Sequence, residues 1–450
     1  MKTPLNRADA SGGDNAKGKG KRVLKRIVIV GGGAAGLMAA ISAGRSRPKA
    51  EIHLIEQNKI PGKKIRITGG GRCNLTSSIP MEEFPSKVPE NGKFLFSAFA
   101  AFSNRDLIRM LEQTGLKLKT EGAKVYPAKD NAQLVVDALC GLLPEDLHFH
   151  TGEKVTGFRT QRIEKGEQGS ASLKKVSEES RIVSVRTEKR EFFAEAVILA
   201  CGGLSYPATG SDGSAFEPLR KIGVVLEPFF PSLVQMLGKK ELGMLRGLSL
   251  SEARLCAEVG RTAFETRGGM LFTERGISGP AVMDMSAYLT KCSPEEIRLY
   301  LDFLPRMSEE ELRERMFAKG KKKIENKMAD LLPERLLRFL YEDVRERDLQ
   351  NLKKQEKEEL LSRIKKNLFE IAGFGSIRES VVTKGGVSLR EVRPSTLEHK
   401  RIRGLFFAGE CLDVDALTGG YNLQIAFSTG FLAGRSASEA VHPISKTVRS

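Results

Sequence analysis

Residues 23–56 read VLKRIVIVGGGAAGLMAAISAGRSRPKAEIHLIE. The apolar run Val23–Val30 predicts a buried strand, and the stretch Ala34–Gly44 predicts a helix that begins directly after a glycine-rich turn. A second short strand, Ile52–Ile55, follows and ends at Glu56. A strand, a tight turn, a helix and a second strand in this order are typical of a βαβ unit. The sequence therefore predicts an α/β fold with a parallel sheet.

The turn carries glycines in the spacing Gly31-x-Gly33-x-x-Gly36. In this pattern the first glycine allows the turn, the second admits a pyrophosphate to the backbone, and the third lets the helix pack on the strand. Glu56 follows about twenty residues later, where a carboxylate can accept hydrogen bonds from ribose hydroxyls. The alternative is a plain glycine-rich turn, which would not need this acid. The dinucleotide contacts predicted here are Gly31, Gly33, Ala34, Ala35, Gly36, Glu56 and Gln57.

Composition fits a globular enzyme of two or three domains, because 450 residues include 40% hydrophobic and 29% charged residues. No apolar run is long enough to span a bilayer, and the basic tail Met1–Arg22 lacks the apolar core of a secretory signal. We expect this tail to be disordered. The six cysteines form no CxxC pair, so we expect free thiols, a cytoplasmic location and no metal site. His148 and His150 are predicted to be surface histidines without metal-ligand partners nearby.

The net charge of +17 raises the question of a nucleic-acid partner. Much of the excess lies in the tail and in two stretches, Lys319–Lys327 and Lys353–Lys366. The second stretch is interleaved with acids, and Glu359 and Arg363 have the spacing of a helical ion pair. A solvated helix face explains such stretches more simply than RNA binding. We therefore expect a small-molecule substrate, no membrane and no nucleic-acid partner, and the oligomeric state stays open.

A second glycine-rich segment, GKKIRITGGGRCN, occupies residues 62–74. Three consecutive glycines between basic residues suit the close approach of backbone to a large flat ligand, although a mobile surface loop is the alternative. The candidate cofactor contacts in this segment are Lys64, Gly71, Arg72, Cys73 and Asn74.

The chain between this segment and residue 203 alternates helices and strands. Leu107–Gln113 and Ala132–Leu143 have helical periodicity, and Gly122–Pro127 is predicted as a strand and turn. A β-meander is predicted next, with a polar hairpin tip at its centre; its parts are Leu147–His150, Lys154–Arg159, the tip Gln161–Glu179, Ile182–Thr187 and Glu191–Ala194. Val155 is a candidate cofactor contact. The buried strand Ala196–Gly203 then ends in glycines, which adds Cys201, Gly202 and Gly203 to the cofactor candidates, with a plain turn as the alternative.

The C-terminal segment forms a second cofactor motif. A short apolar strand, Gly404–Glu410, ends in an acid, and a loop with Asp413 and Asp415 leads to Gly419-Gly420 and a helix through Gly434. The acid can bind ribityl or ribose hydroxyls, and the helix N-terminus can stabilise negative charge on a reduced flavin. This segment favours FAD over NAD, although a plain strand and helix of the same sheet is the alternative. The cofactor candidates are Gly409, Glu410, Asp413, Gly420, Tyr421, Asn422, Leu423 and Gln424.

The sequence pattern changes in the part of the chain between the cofactor motifs. Strand-like segments run from about Val224 to Leu304, and a charged helical pattern follows from Ser308 to about Ala372. We expect an insertion that covers the substrate side of the cofactor. The predicted units are a tail (1–22), the first part of an FAD domain (23–223), an inserted β-barrel (224–305), a helical lobe (306–375) and the second part of the FAD domain (376–440).

Six blocks of the chain resemble the BaiN-type NAD(P)/FAD-dependent oxidoreductases, a family of bacterial flavoproteins, and the resemblance covers nearly everything from Arg26 to Ala437. These blocks are VIVGGGAAGLMAA, GKKIRITGGGRCNLT, LACGGLSYPATGSDG, LFTERGISGPAV, VTKGGVSLREV and LFFAGECLDVDALTGGYNLQIAFSTGFLAG. The resemblance implies a Rossmann-like two-dinucleotide-binding FAD domain with an inserted β-barrel and helical lobe. Bile-acid enone reduction and aminoacetone oxidation are both activities of such proteins. Glu274 departs from the histidine expected at its position within FTxxGxSGP.

The resemblance and the motifs together predict an FAD-dependent oxidoreductase. We expect NAD(P)H to reduce the flavin while bound transiently, because no second GxGxxG unit is present, and hydride then to pass from flavin N5 to an electron-poor carbon such as that of an enone. Two other functions stay open, a flavin oxidase that passes electrons to O₂ and a flavin-dependent RNA-modifying protein. The candidate active-site groups are Arg72, Tyr126, Tyr206, Thr383 and Lys384.

Overall fold

The computed structural model describes residues 25–441 except 47–49, 164–178, 319–322, 345–346, 348 and 350–351. The predicted tail, the first two residues of the predicted strand Val23–Val30, and most of the predicted hairpin tip Gln161–Glu179 lie outside the described residues. No helix in the described ranges is both long enough and apolar enough to cross a membrane.

The described residues form eleven α-helices and twenty-one strands, with short 3-10 turns between them. The helices are α1 (Ala34–Arg45), α2 (Phe96–Ala101), α3 (Asn104–Glu112), α4 (Ala132–Gly141), α5 (Phe216–Lys221), α6 (Pro280–Leu289), α7 (Glu309–Phe317), α8 (Ile324–Met328), α9 (Glu334–Tyr341), α10 (Lys354–Lys365) and α11 (Tyr421–Val441). The strands are β1 (Lys25–Val30), β2 (Ala50–Glu56), β3 (Thr76–Ser77), β4 (Leu118–Glu121), β5 (Lys124–Pro127), β6 (His148–Thr151), β7 (Val155–Arg162), β8 (Ser180–Thr187), β9 (Glu191–Phe193), β10 (Ala196–Leu199), β11 (Leu226–Ser232), β12 (Met236–Gly238), β13 (Ser249–Val259), β14 (Thr262–Phe272), β15 (Gly276–Ser278), β16 (Ile297–Asp302), β17 (Asn367–Phe369), β18 (Ile371–Phe374), β19 (Val382–Val387), β20 (Ile402–Arg403) and β21 (Leu405–Phe407).

A parallel sheet in the order β21-β10-β1-β2-β6 forms the centre of the molecule. Its strands are apolar on both faces, since residues 27–30 and 196–199 are all buried. Helices α1 and α11 pack closely on each other, because Gly430 and Gly434 of α11 leave no room for a side chain beside the α1 backbone. The chain thus has an α/β Rossmann-like fold, and the predicted strand–turn–helix–strand order over residues 25–56 is confirmed.

One strand belongs to a different sheet from the one predicted. Residues His148–Thr151 pair in parallel with β2 and form the edge of the central sheet, rather than the first strand of a meander. The meander itself consists of β7, β8 and β9. The two histidines of this segment contact a third, because the ring of His53 stacks on that of His148 and its Nδ1 lies 3.0 Å from His150 Nε2. The parallel pairing places these three rings on adjacent strands.

The described strands between residues 236 and 374 form a seven-stranded sheet, β17-β16-β13-β14-β15-β12-β18, with α6–α10 packed beside it. The predicted continuous helical pattern from Ser308 to Ala372 is wrong at its end, because Asn367–Phe369 and Ile371–Phe374 are strands of this sheet. The chain enters and leaves the region through β11 and β19, which pair antiparallel, with Leu226 opposite Val387.

Candidate functional site

A cavity of about 430 Å³ lies at the carboxyl ends of the parallel strands. Its wall includes the turn after β1, Glu56 at the end of β2, residues 200–202 after β10, and residues 408–410 after β21. Strands β21 and β6 are four spacings apart in the sheet, or about 19 Å at ~4.8 Å for each spacing. The cavity therefore crosses the edge of the sheet where α/β proteins bind ligands, and an extended molecule suits its length.

The three glycines of the turn after β1 differ in the space available for a side chain. A Cβ on Gly31 would overlap the carbonyl group of Ala200, and one on Gly36 would overlap the carbonyl oxygen of Gly31. A Cβ on Gly33 would meet no atom within 4 Å, and this residue lines the cavity. Gly31 and Gly36 are thus required by packing, whereas the space beside Gly33 is open to a ligand at the N-terminus of α1.

The carboxylate of Glu56 lies at the end of β2. It accepts hydrogen bonds from Gly32 N–H (2.6 Å), Asn58 N–H (2.8 Å) and Asn58 Nδ2 (2.6 Å). These bonds fix its orientation beside the glycine turn. Each carboxylate oxygen has more than one lone pair, so Glu56 can still accept a ligand hydroxyl.

Glu410 stands at the other side of the cavity in a network of donors. Lys64 Nζ lies 2.7 Å from its Oε2, while Ser205 Oγ (2.8 Å) and Thr383 N–H (2.9 Å) donate to its Oε1. Burial raises the pKa of the Glu410 carboxyl, but the charge of Lys64 and these hydrogen bonds outweigh it, so the pKa lies below its ordinary value. Glu410 is therefore an anion at neutral pH, oriented before any ligand binds.

The N-terminus of α11 faces the same cavity. Gly419 and Gly420 precede it with φ of +135° and +91°, and a Cβ on Gly420 would lie 2.7 Å from the backbone of Thr76. With its amide oriented to satisfy both partners, Asn74 donates to Thr76 O and accepts from Gly420 N–H, each at 3.1 Å. The glycine-rich segment 62–74 and the closing segment thus meet at the start of this helix.

The structure brings most of the predicted cofactor contacts together. Those that line the cavity are Gly31, Gly33, Ala34, Ala35, Glu56, Gln57, Lys64, Asn74, Val155, Cys201, Gly202, Gly409, Glu410, Gly420, Asn422 and Leu423. Eight others lie outside the lining, namely Gly36, Gly71, Arg72, Cys73, Gly203, Asp413, Tyr421 and Gln424. Several of these eight support the wall, because Thr76 Oγ1 donates to Gln424 Oε1 (2.8 Å), and Gly203 packs against Thr383.

The catalytic candidates are dispersed. Tyr126 lines the cavity, whereas Arg72 lies over its ring, 4.3 Å from the centroid, with Glu121 and Asp130 as ion-pair partners. Tyr206 is 38% exposed, has φ of +52° and lies outside the lining. Neither Arg72 nor Tyr206 is therefore among the residues that line the cavity.

Lys384 and Thr383 are buried in β19 rather than exposed to the cavity. Lys384 Nζ lies 2.8 Å from Asp415 Oδ1, and Ser232 Oγ donates to the other carboxylate oxygen of Asp415. The Thr383 hydroxyl accepts from the Leu204 and Ser205 N–H groups. Both residues therefore hold loops around the cavity in place, and neither reaches its interior.

Most of the chain matches a family of known proteins. The sequence model described as the HI0933-like protein Rossmann domain matches residues 25–436. The chain belongs to this family. The family is one of FAD-dependent oxidoreductases, which confirms the resemblance inferred from the sequence motifs.

Curated relatives of the family have named activities. The chain is 33% identical over 427 residues to the 3-dehydro-bile acid delta(4,6)-reductase of Clostridium scindens, covering 92% of this chain and all of the relative. It is 29% identical over 420 residues to the ribosomal RNA dihydrouridine synthase of Escherichia coli, covering 90% of this chain and 96% of the relative. Among solved structures, E. coli quinol fumarate reductase FrdA aligns with 93% of this chain and 70% of its own, with 16% identity and a TM-score of 0.48.

The residues of the cavity fit the FAD of this family. The open space beside Gly33 suits a phosphate at a helix N-terminus, and two oriented carboxylates, Glu56 and Glu410, are available to hydroxyl groups. The described residues contain no cluster of three or more His, Cys, Asp or Glu side chains that could hold a metal ion.

Several residues in or beside the cavity were not predicted from the sequence. Lys124 lines it two residues before Tyr126, and the loop 209–215 forms part of its wall. Asp284 of α6 accepts from Thr418 N–H (2.6 Å), next to Gly419, and burial raises the pKa of its carboxyl. The alternation of side chains along a strand is a signal that could have paired Lys124 with Tyr126. No local pattern links Asp284 to Thr418.

Proposed function

We propose that this protein is an FAD-dependent reductase that saturates a carbon–carbon double bond conjugated to a carbonyl group, with NAD(P)H as the electron donor. The observation that carries the proposal is the cavity across the carboxyl ends of the parallel strands, with open space at Gly33 and the α11 N-terminus at its wall. The names of both relatives, a delta(4,6)-reductase and a dihydrouridine synthase, describe the saturation of such bonds.

We infer the following placement of FAD from the lining. Glu56 and Val155 would hold the adenosine, Gly33 the pyrophosphate, and Glu410 the ribityl chain. Asn74 and Gly420 would then adjoin the flavin ring. When bound, FAD supplies hydride chemistry that no side chain can provide.

The chain's own groups orient this cofactor and tune its charge. The α1 N-terminus offers N–H groups to the phosphates, and the carboxylates of Glu56 and Glu410 accept hydroxyl hydrogens. The α11 N-terminus stabilises negative charge beside it, which favours the reduced state of a flavin. Gly420 N–H is already fixed by Asn74, so the start of this helix needs little rearrangement.

The region between β11 and β19 is proposed to cover the substrate side of the flavin. Leu233, directly after β11, and Val381, directly before β19, both line the cavity. Asp284 of α6 holds Thr418, which lines the cavity as well. These contacts support the predicted insertion at 224–375, which would exclude water from the reacting groups.

An anaerobic two-step experiment tests the proposed activity. The FAD-loaded protein is first mixed with NADH or NADPH, and bleaching of the flavin absorbance reports reduction. The reduced protein is then mixed with 2-cyclohexen-1-one, with other enones, or with O₂. We expect enones to reoxidise the flavin and to yield the saturated ketone. Reoxidation by O₂ alone at a catalytic rate would instead identify an oxidase.

A uridine within RNA is the second candidate substrate. The net charge of +17 and the similarity to the E. coli ribosomal RNA enzyme favour it. Because dihydrouridine forms by saturation of a bond conjugated to a carbonyl, the same cavity chemistry would serve. Filter binding of ribosomal RNA across a salt series, with dihydrouridine analysis after incubation with reduced protein, tests this candidate. Weak RNA binding with no formation of dihydrouridine would favour the small enone as the substrate.

A further inference from the structure

Four lysines line the cavity, and three of them are already engaged by the protein. Lys63 Nζ donates to Ala208 O (2.6 Å), Lys64 Nζ pairs with Glu410 (2.7 Å), and Lys154 Nζ pairs with Asp212 (2.9 Å). Lys124 has no hydrogen bond and no ion pair within 4 Å among the residues that the structure describes. It is therefore the cavity lysine whose charge is free to meet a ligand.

Lys124 shares a face of β5 with Tyr126. The two side chains lie two residues apart on the strand and both line the cavity, while Val125 between them is buried on the opposite face. The hydroxyl of Tyr126 has no hydrogen-bond partner in the described part of the chain. An ammonium group and a phenolic hydroxyl, both able to donate, thus adjoin the same space.

The strand pairing places these donors at the end of the cavity formed by Asn74 and Gly420, where the flavin ring is proposed to bind. Strand β5 pairs with β3, where Thr76 lies opposite Val125. Thr76 in turn packs against Gly420 at the start of α11 and donates to Gln424. Tyr126 is also adjacent to Gly69 of the glycine-rich segment. Both donors therefore lie beside the α11 N-terminus, away from the end formed by Glu56 and Val155.

We propose that Lys124 and Tyr126 bind the carbonyl oxygen of the substrate, the oxygen conjugated to the double bond that is reduced. This assignment rests on the proposed function. As hydride from the reduced flavin adds to the β-carbon, the π electron pair of the double bond moves toward the carbonyl and leaves an enolate. Lys124 and Tyr126 stabilise the charge on that oxygen. A proton from water then adds to the α-carbon, and the products are the saturated carbonyl compound and oxidised FAD.

Asp284 offers a competing role for Lys124 as a counter-charge. The two are close enough that the charge of Lys124 lowers the pKa of Asp284, against the larger effect of burial. They form no ion pair within 4 Å, and the Asp284 carboxylate is instead occupied by the N–H and hydroxyl of Thr418. Asp284→Asn separates the two roles, because it removes the carboxylate charge and leaves Lys124 in place.

The test uses the FAD-loaded full chain and 4-chlorophenol, whose phenolate imitates an oxyanion on a flat conjugated ring. Binding is followed by the long-wavelength charge-transfer absorbance with oxidised flavin. We expect Lys124→Met to raise the Kd for the phenol by about 10- to 100-fold, since a charged hydrogen bond is lost. Tyr126→Phe should have a smaller effect, Lys124→Arg should restore part of the affinity, and Lys129→Met is the matched exposed-lysine control.

Flavin reoxidation provides the second measurement. After anaerobic reduction with dithionite, reoxidation by 2-cyclohexen-1-one should be about 10²- to 10³-fold slower in Lys124→Met, while reoxidation by ferricyanide, which needs no carbonyl site, should be unchanged. Equal phenol affinity and equal enone rates in wild type and Lys124→Met would overturn the assignment, as would loss of phenol binding in Asp284→Asn alone. If the wild-type protein binds the phenol through Lys124 but reduces neither enones nor RNA, the proposed function is wrong, whereas Lys124 still forms an anion-binding site.

Discussion

Lys64 and Glu410 are separated by 346 residues, yet the ammonium of the first lies 2.7 Å from the carboxylate of the second. The pair joins the glycine-rich segment after β2 to the end of β21 across the cavity. Both side chains are partly buried, at 23% and 18% exposure, so the carboxylate depends on its donors for solvation. The two cofactor motifs are thus held together before FAD binds.

Removal of the cation from this pair should destabilise the fold. We expect Lys64→Met to lower the free energy of unfolding by about 1–2 kcal/mol, less than for a fully buried pair because both groups retain some solvent. The pKa of Glu410 is lowered in the folded protein, so its contribution is complete above pH 4.5 and is lost as the pH falls below that value. Denaturation of wild type and variant at pH 7 and in acid measures this. If the difference in unfolding free energy between wild type and Lys64→Met stays constant into acid, it does not come from the Lys64–Glu410 pair.

Gly33→Ala should separate cofactor binding from folding. Its φ of −83° is accessible to any residue, and the added Cβ would meet no protein atom. We therefore expect a thermal unfolding midpoint of the apoprotein within about 2 °C of wild type, since nothing in the fold is displaced, together with severe loss of FAD. Gly36→Ala is the matched control, because its Cβ would overlap Gly31 and should destabilise the apoprotein itself. Full FAD loading of Gly33→Ala would mean that no phosphate lies there.

Gly420→Val should alter the flavin potential. The residue has φ of +91°, and a Cβ would lie 2.7 Å from Thr76, so the start of α11 must shift. A helix N-terminus stabilises nearby negative charge by roughly 0.3–1 kcal/mol. The midpoint potential of the bound FAD should then fall by on the order of tens of millivolts. Spectroelectrochemical titration decides this, and an unchanged potential in a fully loaded variant would show that the helix does not face the flavin.

Lys384 should contribute to stability rather than to chemistry. Its side chain is 2% exposed and its partner Asp415 is 4% exposed. Lys384→Met would leave a buried carboxylate unpaired and should cost about 3–5 kcal/mol. Combining it with Asp415→Leu should recover part of that loss, which denaturant titration of the four proteins can measure. An active-site role would appear instead as a large loss of enone reduction with unchanged stability.

The sequence predicted the parts of the site that depend on local backbone requirements. The roles of Gly31 and Gly36 follow from spacing alone. Gly31 has a φ of +106°, as the predicted turn requires, and Gly36 leaves no room for a Cβ, as the predicted close packing requires. The family was likewise recognisable from contiguous motifs. Side-chain partners distant in sequence could not be predicted in this way, so Lys384 was a candidate active-site group, and its pairing with Asp415 was missed.

Two strand assignments failed for a related physical reason. The segment His148–Thr151 alternates like a meander strand, yet it pairs with β2, because pairing partners depend on tertiary position rather than on periodicity. Residues 367–374 follow directly on a charged helix, and only their pairing with β16 and β12 defines them as strands. Lys124 was missed because a single lysine on a short strand has no distinctive local pattern.

The antiparallel pairing of β11 with β19 has a consequence for how this chain can diversify. The long excursion between the two strands starts and finishes at one place, so its ends stay anchored whatever its length or content. Lengthening such a closed loop costs only about 0.6 kcal/mol for each doubling. The segments between β11 and β19 can therefore be exchanged or remodelled while the parallel sheet and its cofactor-binding edge keep their geometry. Substrate binding can thus change in evolution without a change in cofactor binding.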